Sequence, residues 1–157
     1  MKLPRVVFVT GAASGIGRSV AMRLASEGCA VVVADTDVAN GEATCASITS
    51  AGGSAICQEV DVRDRESIRS AADEATRRFG GITGLVNCAG LVTMTSLDDL
   101  TEEEWDLVVD VNLKGTWLAT QEVARDIAAT GGGSVVNIST VEAEVVVSST
   151  GHCQVHY

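Results

Sequence analysis

Thr10-Gly11-Ala12-Ala13-Ser14-Gly15-Ile16-Gly17 is the stretch that decides how this chain folds. Its glycines follow the spacing G-x-x-x-G-x-G, after the apolar run Arg5-Val-Val-Phe-Val-Thr10 and before a helical pattern from Gly15 to Glu27. A strand that turns sharply into a helix needs residues free of a Cβ, both to make the bend and to let the helix pack close to the sheet. Such a turn leaves free N–H groups and the positive end of a helix facing outward, where a diphosphate binds. A glycine-rich turn alone is a weak signal, but a strand before it, a helix after it and an acidic residue about 20 positions on make it much stronger.

That acidic residue is Asp35, at the end of a second apolar run, Ala30-Val-Val-Val-Ala-Asp35. A carboxylate there accepts both ribose hydroxyls of an adenosine and repels a 2′-phosphate, and neither Ser14 nor Thr36 brings a compensating positive charge. The expected ligand is NAD(H) in preference to NADP(H).

Outward from the loop, strands and helices alternate as in successive βαβ units on a parallel sheet. Further strands are expected at Ala55 to Val60, Ile82 to Asn87 and Ser134 to Ser139, each apolar on both faces. Helices are expected at Gly15 to Glu27, Val38 to Ser50, Asp64 to Phe79 and, as one long element, from Thr101 toward Ala129. Gly28, Gly52-Gly53, Gly80-Gly81 and Gly131-Gly132-Gly133 stand where left-handed helix stops belong, and Thr101-Glu-Glu-Glu104 reads as a capping box. The fold class is therefore α/β, a three-layer, Rossmann-like, doubly wound parallel sheet, and residues 1–157 form one dinucleotide-binding domain that stops after the fifth strand.

Composition agrees. A chain of 157 residues suffices for one domain with a real core, burying roughly 70% of its unfolded surface. Hydrophobic residues make up 46% but aromatics only 3%, so Val, Ala, Leu and Ile must build that core. The net charge of −10 and the lack of a basic run argue against a nucleic-acid partner. No stretch approaches the roughly 18 apolar residues of a membrane span, and Met1-Lys-Leu-Pro-Arg5 leads straight into a strand without a signal peptide. A soluble, cytoplasmic protein is expected. Five cysteines, with no C-x-x-C pair and no zinc-ligand spacing, read as reduced small hydrophobes, and no metal site is expected. Cys153 beside His152 admits a thiol nucleophile, although inert packing is the commoner fate of such a cysteine.

Four motifs in order carry a resemblance: Thr10-Gly-x-x-x-Gly-Ile-Gly17, Asn87-Cys-Ala-Gly90 after the fourth strand, Asn112 in Val-Asn-Leu-Lys-Gly, and Asn137-Ile-Ser-Thr140 on the fifth strand. Together they resemble the short-chain dehydrogenase/reductase family along the whole chain. The resemblance implies an NAD-dependent oxidoreductase that transfers hydride between nicotinamide and a small alcohol or carbonyl substrate. It implies that Asp61 and Val62 contact the adenine, and that Asn87, Ala89 and Gly90 brace the sheet and line the cofactor; Cys88 departs from the family's second asparagine, so one bracing bond is in question. Asn112 is implied to distort its helix and hold a water in a proton relay, whereas residue type alone would make it a surface polar group.

For chemistry the resemblance implies a serine and a tyrosine acting on the substrate oxygen. Thr140 matches the serine best, with Ser139 the alternative, and Tyr157, the only tyrosine, stands for the other after a somewhat longer spacing, unless it merely caps a core. A tyrosine with an ordinary pKa near 10 needs about 4 kcal/mol of preferential phenolate stabilisation to work at neutral pH, and the family supplies part of it with a lysine four residues on. The chain ends before that position and before a sixth strand, so it is expected to be a fragment of a longer enzyme, with little turnover by itself; the full protein is expected to be a homo-oligomer joined through the long fourth helix. Two other readings stay open: a non-catalytic NAD-binding or interaction module, and an S-adenosylmethionine methyltransferase, which predicts neither the Asn87 motif nor Asn112.

Overall fold

The computed structural model describes residues 5–140. Five parallel strands form one sheet: β1 (Val6–Thr10), β2 (Ala30–Asp35), β3 (Ser54–Glu59), β4 (Gly84–Asn87) and β5 (Ser134–Asn137), in the spatial order β3-β2-β1-β4-β5. β1 is central, with Val6 to Thr10 opposite Ala30 to Ala34 on one side and Val7 to Thr10 opposite Gly84 to Asn87 on the other. Chain order reverses between β1 and β4, and the crevice past the carboxyl ends of those strands is where an open α/β sheet binds its ligand.

The helices are α1 (Gly15–Ser26), α2 (Val38–Ser50), α3 (Arg65–Phe79), α4 (Glu102–Val109) and α5 (Thr116–Ala129). Strand side chains alternate between two cores, as the two-residue period of a strand demands. Val7, Val9, Val31 and Val33 pack with Ala21, Ala25 and Ile48 of α1 and α2. Val6, Phe8 and Val32 face the other way, against Ile68, Ala72 and Ala75 of α3 and Leu118, Ala119 and Val123 of α5. Alanines on the inner helix faces let the helices lie close to the valine-rich sheet. The three-layer α/β arrangement read from the sequence is the observed one.

Three details differ from expectation. First, only the inner strands are covered on both faces: β3, at one edge, is half-buried, and every residue of β5 is exposed, Val136 to 48%. An apolar run reports what a strand needs covered, not whether its position in the sheet covers it. Second, strand limits move by one or two residues, and Asp64 lies outside α3 as its N-cap, its side chain accepting from the Glu66 N–H. Third, the long fourth helix is not one unbroken element as its pattern predicts, although the resemblance implies a distortion at Asn112. A six-residue π-helical segment, Asp110–Gly115, separates α4 from α5. The Thr101–Glu104 capping box does start α4, and Gly28, Gly52, Gly80 and Gly131 all adopt positive φ at helix ends. No helix among the described residues is long and apolar enough to cross a membrane.

Candidate active site

The loop between β1 and α1 is built from glycines that do different jobs. A Cβ on Gly11 would lie 2.8 Å from the backbone of Ala89, and one on Gly17 would lie 2.1 Å from the carbonyl oxygen of Gly11. These two glycines let the loop pack on itself and on the β4 turn. Gly15 is the opposite case: its φ is +52° and a Cβ there would meet nothing within 4 Å. Open space at that point is what an incoming group requires. The first intrahelical bond of α1 runs from the Arg18 N–H to the Ser14 carbonyl, so the N–H groups of Gly15, Ile16 and Gly17 precede it. Ser14 occupies the N-cap position without spending its side chain on the helix, and the first turn contains no carboxylate. The positive helix end thus faces the cleft uncompensated.

Thr10 and Asn87 sit side by side at the ends of β1 and β4, 1% and 4% exposed, below the cleft floor. The Thr10 hydroxyl accepts from the N–H groups of Cys88 and Ala89, both at 3.1 Å, and so fixes the turn after β4. The Asn87 amide donates to Asn137 Oδ1 at 2.8 Å and to Thr120 Oγ1 at 3.1 Å, tying β4 to β5 and α5. Bracing here runs through the Asn87 side chain and the Cys88 backbone. The Cys88 thiol contributes none of it among the hydrogen bonds seen, and burial pushes its pKa up.

Above this floor lies a cleft of about 1200 Å³. Gly11, Ser14, Gly15, Ile16 and Gly17 line it from the loop, Asp35 and Thr36 from the end of β2, and Asp61, Val62 and Arg63 from the turn after β3. Ala89 and Gly90 come from the turn after β4, Asn112 from the π-helical segment, and Ser139 and Thr140 from beyond β5. Thirteen of the sixteen residues singled out from the sequence therefore meet in one cleft, Thr10 and Asn87 lie beneath it, and Tyr157 lies outside the described residues, as do His152, Cys153 and His156.

Three of the polar side chains of the cleft are already held. Asp35 accepts from the N–H groups of Ala13 (2.9 Å) and Asp37 (3.0 Å). Asp61 is gripped by Arg63, whose Nε and Nη2 donate to its carboxylate at 2.6–3.1 Å. That hydrogen bonding holds the Asp61 carboxyl below the usual carboxylate range, against the opposing effect of burial. Asn112 Oδ1 accepts from the Leu91 N–H and its Nδ2 donates to the Leu91 carbonyl. The π-helical segment also carries Gly115, where a Cβ would press to 2.6 Å against Val62 Cγ2. The helix is distorted at a point that joins the turns after β3 and β4, and π-bulges often mark functional sites.

Sequence reasoning missed Leu91, Arg63, Thr120 and Trp105. Arg63, two residues after Asp61, was visible as a local Asp-x-Arg pair. Leu91 acts through its backbone, Thr120 reaches Asn87 from another element, and Trp105 enters the cleft wall only through the course of α4, so none of these had a local signal.

The residues present fit a dinucleotide: an open, bare-backbone helix start for the diphosphate, a carboxylate one strand away for a ribose, and apolar surface at Val62 for a ring. This is the architecture of a nucleotide-binding α/β domain. Residues 5–152 match the family model for short chain dehydrogenase, and the chain belongs to that oxidoreductase family. It is 42% identical over 138 residues to the short-chain reductase protein NovJ of Streptomyces niveus, covering 88% of this chain and 53% of that protein. It is 36% identical over 141 residues to D-threitol dehydrogenase of Mycolicibacterium smegmatis (90% and 54%). With (3R)-3-hydroxyacyl-CoA dehydrogenase of Mus musculus it shares 38% over 149 residues (89% and 58%). Among solved structures, that of gox2181 superposes with a TM-score of 0.87 at 30% identity, over 91% of this chain and 56% of that one. The chain spans just over half the length of these relatives.

Proposed function

We propose that residues 1–157 form the dinucleotide-binding part of an oxidoreductase that takes NAD(H) in preference to NADP(H) and interconverts a small alcohol and its carbonyl. The observation that carries this reading is the convergence of the Gly15 helix start, Asp35 and the Ser139–Thr140 hydroxyls on one cleft at the carboxyl ends of the strands. Relatives named for D-threitol and (3R)-3-hydroxyacyl-CoA point to alcohol-bearing substrates.

In this reading the N–H groups of Gly15, Ile16 and Gly17, with the Ser14 hydroxyl, receive the diphosphate. Asp35 accepts the ribose hydroxyls and repels a 2′-phosphate, while Arg63, the cation among the described cleft residues, is engaged by Asp61 and does not offset that repulsion. Asp61 and Val62 hold the adenine; Ala89 and Gly90 give the rest of the coenzyme a flat wall. Bound nicotinamide supplies the hydride acceptor or donor. Thr140, or Ser139 beside it, donates a hydrogen bond to the substrate oxygen, Tyr157 transfers its proton, and Asn112 belongs to the path by which that proton reaches solvent.

The whole protein associates with further copies through the α4–α5 face, where Leu113 is 70% and Trp117 54% exposed; gel filtration reads the result. Calorimetric titration of the chain with NAD+ and with NADP+ tests the central claim. Saturable NAD+ binding with much weaker NADP+ binding is expected, and equal affinity for both removes the preference. No binding of either removes the reading.

A further inference from the structure

We propose that Asp35 also acts within the protein itself. Its carboxylate tethers the diphosphate loop to the end of β2, so the loop's shape as well as the ribose contact depends on this one side chain. The inference rests on the coenzyme reading above.

Three bonds lead to it. Asp35 Oδ2 accepts from the Ala13 N–H at 2.9 Å, and Oδ1 accepts from the Asp37 N–H at 3.0 Å, so both oxygens bind this chain's own backbone. The neighbouring Ala12 N–H reaches the Ala34 carbonyl at 3.4 Å, a longer and weaker contact. Ala12 and Ala13 are 0% and 3% exposed. A buried N–H has to find an acceptor, and at residue 13 that acceptor is Asp35. The two alanines lie between the left-handed bends at Gly11 (φ +65°) and Gly15 (φ +52°). Their N–H groups turn back toward β2 and leave the ligand to the N–H groups that follow. The tether fixes one limb of the loop, and the other limb presents the helix start.

Coulomb repulsion and tethering predict opposite signs for one substitution. A carboxylate near a bound anion repels it, so removing the charge alone strengthens diphosphate binding. Removing the tether frees the loop and weakens it. Replacing Asp35 by a small residue therefore weakens both coenzymes through the seat they share, on top of any change in the ratio between NAD and NADP.

The test uses ADP and 2′,3′-dideoxy-ADP, which has no ribose hydroxyls for Asp35 to hold, titrated by calorimetry into the 157-residue chain and its Asp35→Ala variant. Affinity for dideoxy-ADP is expected to fall about tenfold in the variant, the order of one hydrogen bond to a charged acceptor. Unchanged or tighter dideoxy-ADP binding, with ADP alone weakened, overturns the proposal. Amide exchange by NMR without ligand gives an independent reading: the Ala13 N–H is expected to exchange faster in Asp35→Ala while Val32 and Val33 stay protected, and an unaltered Ala13 rate overturns the tether. Should Asp35→Ala not fold, Asp35→Val, which suits a strand end and carries no acceptor, carries both measurements. If the unmodified chain binds neither nucleotide, the coenzyme reading fails and the exchange rate alone decides the tether.

Discussion

The carboxamide of Asn112 pairs with both backbone groups of Leu91, each bond 2.9 Å long. One side chain in the distorted segment between α4 and α5 thus behaves as a neighbouring strand would toward the turn after β4. Asn112→Ala leaves an N–H and a carbonyl without partners and is expected to cost about 1–3 kcal/mol in a urea titration. Asn112→Asp is expected to be no better, because a carboxylate cannot donate to the Leu91 carbonyl. Unaltered stability in both variants would mean that the turn is held by something else.

Two glycine substitutions in the loop are expected to behave differently. Gly17→Ala sets a Cβ 2.1 Å from the Gly11 carbonyl oxygen, backbone against backbone, and is expected to cost about 3 kcal/mol or more and abolish coenzyme binding. Gly15→Ala meets no neighbour and bears only the strain of a left-handed residue, about 1–2 kcal/mol. Thermal unfolding of both variants checks the order, and the reverse ranking would contradict the packing described for Gly17.

Asp61 and Arg63 give the cleft a pH signature. Hydrogen bonding from the Arg63 side chain lowers the Asp61 pKa, with burial opposing it. A depressed folded-state pKa contributes stability that is present above the unfolded value, about 3.9, and lost as pH falls through the folded one. The stability gap between the wild type and Arg63→Ala is therefore expected to be widest near neutral pH and to close below about pH 4. Denaturation at a series of pH values measures it; a gap independent of pH would remove Asp61 as Arg63's energetic partner.

Glu122, 2% exposed, receives Arg65 from α3 and Arg125 from its own helix, and the Arg65 guanidinium lies 5.6 Å from the centre of the Trp117 ring. Of these two arginines, Arg65 joins α3 to α5 while Arg125 stays within α5. Arg65→Ala is expected to cost about 2–3 kcal/mol and Arg125→Ala under about 1 kcal/mol. The double variant should lose more than the sum, because the buried carboxylate is then left without either cation. Additive losses in chemical denaturation would show that Glu122 is satisfied elsewhere.

Much of the fold was legible in the residues because its signals are local. The capping box at Thr101 and the glycines at 28, 52, 80 and 131 each act within one turn of chain, and each sits where it was read. The cleft was legible for the same reason: Gly11, Gly15, Gly17 and Asp35 combine a bend, a strand end and a charge within one βαβ unit. The break at Asp110–Gly115 was legible only through the family resemblance at Asn112, because the weak helix propensities of Asn112 and Gly115 do not by themselves place it; it accompanies the Asn112 contact with Leu91 and that of Gly115 with Val62, across elements distant in sequence.

Residue order alone determined the alternation of strand and helix, the diphosphate turn and the acidic end of β2, because hydrophobic period, glycine and charge act over a few residues. Only the folded chain decided that Gly11 and Gly17 serve close packing while Gly15 faces open space, and that Asp35 is bound by its own loop. Those facts depend on distances between segments that the sheet order β3-β2-β1-β4-β5 brings together, and contacts of that kind leave no periodic trace in a sequence.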